Sequence, residues 1–221
     1  MSKMTLYVGN KTYSSWSMRA WLVLRAAGLA FDEVVIPMNG PGTATRAIRD
    51  RSPSGRVPLL EHDGRLIWDS LAIAEYVAEL APDARLWPLD RADRALARSL
   101  SAEMHSGFAA LRSTMPMNVR RAPFTLATNQ EVHDEIARLV AAWNETRAVH
   151  GATGPFLFGA FGIVDAMFAP AATRLRTYGV PLDGRAREYV GAIHEQPLVR
   201  EWIDAARRET WKIEAYERIG T

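Results

Sequence analysis

The first eighty residues mix short apolar runs, typical of buried strands, with segments in which apolar positions recur at helical spacing. Polar capping residues precede two amphipathic runs, one after Ser14 and one after Asp69. Asp63 and Gly64 separate two apolar runs and indicate a hairpin turn. The predicted elements are a strand over 5–9, a helix over 15–27, a strand over 31–37, a short helix over 43–50, a hairpin over 57–68 and a helix from 69. This half is therefore predicted to be an α/β domain with the order βαβαββα.

A turn-rich, proline-containing stretch, APDARLWPLD at 81–90, follows this half and indicates a domain boundary. Beyond it no convincing strand run occurs, and five segments carry helical periodicity. These predicted helices span 91–111, 129–148, 164–178, 186–194 and 198–211. We therefore expect an α/β domain over 1–81, a linker over 82–89 and an all-helical domain over 90–221.

Composition and charge exclude several function classes. The 221 residues contain 27 Lys and Arg against 25 Asp and Glu, and the arginines alternate with acidic and apolar residues. No basic stripe that would follow a phosphate backbone is present, so nucleic-acid binding is not expected. The absence of cysteine excludes disulfides and a cysteine nucleophile. The five histidines lack metal-ligand spacing, so no metal is expected.

The apolar content, 48%, is normal for a chain that buries a globular core. No apolar run is long enough to span a membrane. The N-terminal segment, MSKMTLYVG, lacks the features of a signal peptide. We therefore expect a cytoplasmic protein that does not associate with membranes.

Two serines, Ser14 and Ser15, stand at the start of the first predicted helix, directly after a strand-like run. A serine at this position commonly caps the helix. A hydroxyl pair at a helix N-terminus also suits an anionic ligand, because the backbone N–H groups there are unpaired and the helix dipole is positive. This segment alone leaves both interpretations open.

Four short motifs, in this order and spacing, resemble those of the glutathione transferase superfamily. SSWSMR (14–19) resembles the serine motif of the zeta class and related bacterial transferases, usually SSCSxR. SGRVPLL (54–60) resembles the cis-proline segment, and DSLAIAEYVAE (69–79) resembles the γ-glutamyl-binding motif. FGIVDAMFAP (161–170) resembles the capping segment of the central helix of the α domain. The resemblance implies a thioredoxin-like glutathione-binding domain followed by a helical electrophile-binding domain, in a homodimer.

The resemblance also implies roles for the residues that match its first two motifs. Ser14 would donate a hydrogen bond to the sulfur of glutathione, and Ser15 is the next candidate or a partner in that role. Val57, held before a cis Pro58, would pair like a strand with the cysteinyl part of glutathione. Glutathione is thus the expected cosubstrate.

The remaining expected contacts involve the γ-glutamyl motif, two loop cations and an electrophile pocket. Asp69 would bind the α-ammonium of glutathione and Ser70 its γ-glutamyl carboxylate. Lys11 and Arg56 lie in loops near this groove, and either is a candidate for the glycyl carboxylate. Methionine and aromatic side chains at helical spacing suit a promiscuous pocket, but they more often belong to a helical core. The expected pocket residues are Trp16, Met104, Phe108, Arg112 and Met115.

Two departures from the family pattern bear on activity and stability. Trp16 replaces the cysteine of the zeta motif, and Gly162 replaces the usual Ser or Thr of the capping segment. Arg174 and Arg176 do not fall on the position where zeta enzymes hold substrate carboxylates. The leading interpretation is a glutathione transferase acting on small electrophiles or peroxides. The alternatives are a glutathione-dependent isomerase of maleyl-type acids and a non-catalytic binding or regulatory protein of the same fold.

Overall fold

A computed structural model describes residues 3–38, 40 and 46–220 of the chain. Its first part contains β1 (Met4–Val8), α1 (Ser15–Ala26), β2 (Asp32–Val35), α2 (Arg46–Arg49), β3 (Leu59–His62), β4 (Arg65–Trp68) and α3 (Ser70–Leu80). The predicted βαβαββα order is confirmed. The short helix predicted over 43–50 is observed as α2, and residues 43–45 lie outside the described part.

The four strands form one mixed sheet in the order β2-β1-β3-β4. β1 runs parallel to β2 and antiparallel to β3, and β4 is the edge strand. The predicted hairpin turn lies at Asp63 and Gly64, whose φ angles of 48° and 78° suit a two-residue turn between twisted strands. The loop after β1 leads directly to Ser14 and α1, so the sheet sets the position of the serine pair.

The second part of the described chain is helical apart from two isolated bridges within 156–160. Its helices are α4 (Arg91–Ser106), α5 (Ala109–Thr114), α6 (Gln130–His150), α7 (Ile163–Thr177), α8 (Gly184–Glu195), α9 (Pro197–Arg207) and α10 (Glu214–Glu217). The domain limits at 82 and 89 stay a prediction. No helix in the described part of the chain is long and apolar enough to cross a membrane.

The helix predicted over 91–111 is wrong in one respect, because it is interrupted at Gly107 and Phe108. Phe108 has a left-handed φ of 57°. A Cβ on Gly107 would lie 2.9 Å from the carbonyl oxygen of Glu103, so glycine permits this close approach of the backbone. A new helix, α5, then begins, with its Ala110 and Leu111 N–H groups donating to Glu135.

The central helix α7 is buried along almost its whole length and contacts both α1 and α4. At its start the carboxylate of Asp165 accepts from the Gly162 N–H at 3.0 Å and from the Leu157 N–H at 3.1 Å. A Cβ at Gly162 would lie 2.7 Å from the carbonyl oxygen of Leu86, which explains why glycine replaces the usual Ser or Thr. Burial raises the pKa of Asp165 to about 6 despite these hydrogen bonds.

Candidate active site

A cavity of about 360 Å³ opens beside the start of α1, where the α/β half meets the helical half. Six of the residues singled out from the sequence line it: Ser14, Ser15, Trp16, Arg56, Val57 and Arg112. Val57 precedes Pro58 across a cis peptide bond at the start of β3. Residues from both ends of the chain thus converge on the serine pair.

The two serines differ in their hydrogen bonding. Ser14 is the N-cap of α1, and its Oγ accepts from the Ser17 N–H at 3.4 Å and donates to Ser17 Oγ at 2.8 Å. Ser17 Oγ also accepts from the Gly9 N–H at 3.0 Å. The Ser14 hydroxyl is therefore committed to a buried network that joins the helix start to the end of β1.

Ser15 is the first residue of α1, and its hydroxyl does not donate a hydrogen bond to a neighbouring side chain as that of Ser14 does. Its Oγ accepts from Arg174 Nη2 at 3.2 Å, which leaves the O–H able to donate into the cavity. Arg174 is 4% exposed and donates also to the carbonyl oxygens of Met115 and Pro170. All three acceptors are uncharged, so none of them cancels the charge of the guanidinium.

Two further arginines lie against the indole of Trp16. The guanidinium carbon of Arg19 is 4.5 Å from the ring centroid and that of Arg112 is 4.8 Å from it. Arg19 is 1% exposed, and its Nε and Nη1 have no hydrogen-bond partner. Burial, with Arg174 and Arg112 nearby, lowers the pKa of Arg19 to about 9, so it is charged at neutral pH. The site therefore holds a strong positive field.

Asp69 and Ser70 begin α3 behind Trp16, whose ring makes an edge contact with His105. Asp69 caps the helix by accepting from the Leu71 N–H at 2.8 Å, and its other oxygen is 3.3 Å from His105 Nε2. Burial lowers the pKa of His105, which is therefore neutral at pH 7 and does not neutralise Asp69, whose charge interacts with the buried Arg19. Ser70 is 1% exposed, and its Oγ has no hydrogen-bond partner.

The prediction that Lys11 lies near the glutathione groove is wrong. Its Nζ is 2.7 Å from Glu33 and lies 5.1 and 5.0 Å from the ring centroids of Trp21 and Trp202. The Trp202 Nε1–H also donates to the Lys11 carbonyl. Lys11 is thus buried where α9 packs on the α/β half and does not line the cavity, whereas the exposed Arg56 does.

Three of the five expected pocket residues, Met104, Phe108 and Met115, are core residues and do not line the cavity. Trp16 and Arg112 do line the cavity, together with Met117.

The sequence interpretation missed several lining residues. Tyr13 lines the cavity, and so do Ile213 and Tyr216 of the C-terminal segment. This segment is held in place by Glu217, which accepts from the hydroxyl of Tyr13 and from Asn118 Nδ2. No periodic or motif signal marks it, and only the adjacency of Tyr13 to Ser14 was visible in the sequence. No group of three or more metal-ligating side chains occurs among the described residues.

Comparisons with known proteins agree on one family. Residues 13–80 match the model of the glutathione S-transferase N-terminal domain, and residues 126–205 match that of the C-terminal domain. The chain is 34% identical to mouse maleylacetoacetate isomerase over 115 residues, half of either chain. It is 28% identical to maleylacetoacetate isomerase of Pseudomonas aeruginosa, over 94% of this chain and 99% of that one.

Among solved structures, a glutathione transferase homolog from Burkholderia gl BGR1 with bound glutathione superposes with a TM-score of 0.70. The two chains are 29% identical, and the match covers 93% of this chain and 98% of that one. The match to several of the curated relatives, the mouse enzyme included, spans about half of their length.

Proposed function

Because the chain belongs to the glutathione S-transferase superfamily, we propose that it is a glutathione transferase that stabilises the thiolate of glutathione through a serine hydroxyl. Its substrates are small electrophiles or peroxides. The observation that carries this proposal is the free Ser15 O–H, which faces the cavity at a helix N-terminus and is supported by a buried, uncancelled Arg174.

Residues that line the cavity, together with the start of α3 behind Trp16, suit the charged ends of glutathione, although Asp69 and Ser70 do not themselves line the cavity. The unpartnered Ser70 Oγ and the start of α3 suit the γ-glutamyl carboxylate. The Asp69 carboxylate, beside a neutral His105, suits the α-ammonium. The exposed Arg56 suits the glycyl carboxylate, and Val57 lines the cavity where the cysteinyl backbone would pair.

Thiolate stabilisation is within reach of these groups. A thiol like that of free cysteine has a pKa of about 8.5, and lowering it by about two units takes about 2.7 kcal/mol. A hydrogen bond to a charged group contributes about 1.5–3 kcal/mol, and a helix end adds about 0.3–1 kcal/mol. The buried guanidinium groups of Arg19 and Arg174 add to this field. Motif position favoured Ser14 as the donor, whereas the hydrogen bonding favours Ser15.

The first test is an ultraviolet difference spectrum of glutathione bound to the protein, recorded across pH. Thiolate absorbance near neutral pH is expected. Glutathione that binds and stays a thiol would replace the proposal with the non-catalytic alternative. Absence of binding would reject the assignments of Ser70, Asp69 and Val57 as well.

A second candidate function is favoured by one observation, the presence of Arg174 in the cavity next to Ser15. A buried guanidinium there suits a substrate carboxylate, as required for cis–trans isomerisation of a maleyl-type acid by reversible thiolate addition. Relatives named maleylacetoacetate isomerase point the same way. Trp16, in place of the zeta cysteine, counts against it. A direct assay with a maleyl-type acid, with and without glutathione, decides between the two.

A homodimer is the proposed assembly, formed between the α/β half of one subunit and the helical half of the other. Leu66 and Trp68 of the edge strand β4 are 39% and 44% exposed, and Leu96 of α4 is 42% exposed. Exposed apolar side chains on an unpaired edge favour burial against a second copy. A cytoplasmic location and a role in detoxification also stay predictions.

A further inference from the structure

A second cavity, of about 440 Å³, lies on the helical half between the segment 119–123, the end of α7 and the corner between α8 and α9. It shares no lining residue with the first cavity. Five arginines and a histidine line it: Arg120, Arg121, Arg176, Arg200, Arg207 and His194. Only two acidic residues, Glu195 and Asp204, lie among them, so the lining carries a net charge of five minus two, or +3. We refer to it as the basic cavity.

Both acidic residues form ion pairs with arginines of the cavity lining. Glu195 lies 3.7 Å from Arg200, and Asp204 lies 2.9 Å from Arg207. These two pairs account for two of the five guanidinium charges. The uncancelled charge therefore belongs to the other three arginines.

Those three arginines make no ion pair within the described part of the chain. Arg120 donates to the carbonyl oxygens of Glu209 and Trp211 and to the hydroxyl of Tyr13, and Arg121 donates to the carbonyl oxygen of Glu217 at 3.3 Å. These acceptors hold the side chains in place without cancelling their charge. Arg176 is exposed, and among the described residues its guanidinium group makes no hydrogen bond, although its carbonyl oxygen accepts from the Gly179 N–H.

His194 supplies a different polar group to the same cavity. Burial, with Arg176 next in effect, lowers its pKa to about 4, so the ring is neutral at pH 7. The ring hydrogen-bonds the backbone of Ala172, while its Nε2 is buried without a partner. Because the other ring nitrogen donates to Ala172, the unpaired Nε2 of the neutral ring is an acceptor, which can pair with a donor on a ligand but not with a phosphate oxygen.

We propose that the basic cavity is a second binding site, for a small molecule that carries a diphosphate group. Guanidinium groups match phosphate oxygens bidentately, and three uncancelled ones exceed what a single carboxylate needs. Free diphosphate and the diphosphate of a nucleotide share this chemistry. Neither the family assignment nor the proposed transferase activity requires this site.

The test is isothermal titration calorimetry of the full chain with inorganic diphosphate and, separately, with ADP, in magnesium-free buffer containing glutathione. One binding site is expected. Arg176→Gln and Arg121→Gln should each weaken it about tenfold or more, because each removes a charge-assisted contact. Arg91→Gln, an exposed arginine on α4, removes the same charge elsewhere and should leave the affinity unchanged.

The outcomes separate the alternatives. Equal affinities for diphosphate and ADP identify the diphosphate alone as the recognised group, and tighter binding of ADP identifies a nucleotide; both support the site. No binding at millimolar ligand overturns the proposal. An equal loss in Arg91→Gln shows unspecific charge attraction and overturns it too. If Arg112→Gln weakens diphosphate binding and Arg176→Gln does not, the anion binds in the first cavity, and the proposal is again overturned.

Discussion

Replacement of Ser15 by alanine should raise the pKa of bound glutathione more than replacement of Ser14. The structure provides the reason, because the Ser14 hydroxyl donates to Ser17 Oγ while the Ser15 hydroxyl only accepts, from Arg174. Ser15→Ala therefore removes a donor that is free to reach the sulfur. Ser14→Ala removes a helix cap.

The size of the effect follows from the strength of one hydrogen bond to a charged group, about 1.5–3 kcal/mol, or about 1–2 pKa units. If the bound thiol has a pKa of about 6.5, a rise to about 8 lowers the thiolate fraction at pH 7 from about three quarters to about one tenth. Ser14→Ala should shift the pKa by less than about half a unit. It should instead lower the free energy of unfolding by about 1 kcal/mol.

The assay is titration of thiolate absorbance in the bound complex, with urea unfolding of each variant measured alongside. Ser17→Ala serves as a second control, because it disrupts the capping network without facing the cavity. The reasoning fails if Ser14→Ala raises the pKa of bound glutathione as much as Ser15→Ala does. It fails equally if neither variant moves that pKa, since the positive field alone would then hold the thiolate.

Three further outcomes are expected. Asp69→Asn keeps the oxygen that caps α3 but loses the charge, so calorimetry should show about tenfold weaker glutathione binding with unchanged stability. Trp68→Glu should give a monomer in analytical ultracentrifugation, while Val149→Glu, on an even more exposed apolar position, should leave the dimer intact. His194 has its folded pKa at about 4, below the unfolded value of about 6.5. The unfolded chain therefore takes up a proton first as the pH falls from about 6.5 to 4, and about 3 kcal/mol of stability is lost. His194→Gln should lack that loss in urea unfolding at the two pH values.

Each of these expectations has a contrary result. Unchanged glutathione affinity in Asp69→Asn rejects its pairing with the α-ammonium. Dissociation by Val149→Glu, or a dimer in Trp68→Glu, rejects the edge-strand interface. Asp165 opposes His194, because its folded pKa of about 6 lies above the unfolded value and favours the folded state on acidification. The test of His194 is therefore the difference between wild type and His194→Gln in the unfolding free energy lost on acidification. If the two proteins lose the same amount, burial of His194 is not the cause of that loss.

Local signals in the sequence predicted those features that depend on neighbouring residues. The hairpin at Asp63 and Gly64, the cap at Asp69 and the βαβαββα order are examples, because turn chemistry, capping and periodicity act within a few residues. The interruption at Gly107 was missed, because a single glycine in an otherwise helical pattern reads as a tolerated defect. Its cause, the close approach to Glu103, is visible only in the folded chain.

Contacts between distant parts of the chain could not be predicted in the same way. Lys11 appeared as a loop cation, yet its ion pair with Glu33 and its packing on Trp202 depend on how α9 meets the sheet. The contribution of Tyr216 depends on a C-terminal segment that Tyr13 holds through Glu217, 204 positions later in the chain. Neither contact leaves a periodic trace in the sequence.

Helix α7 illustrates why the sequence alone did not assign roles to Arg174 and Arg176. Almost every position of the helix is buried, so no amphipathic pattern indicates which side faces which neighbour. Two residues apart on an α-helix are about 200° apart around its axis. Once Arg174 faces Ser15, Arg176 must face away, and it does so into the basic cavity. The two guanidinium groups therefore cannot share a ligand, and neutralising Arg176 should leave glutathione affinity unchanged while it weakens diphosphate binding.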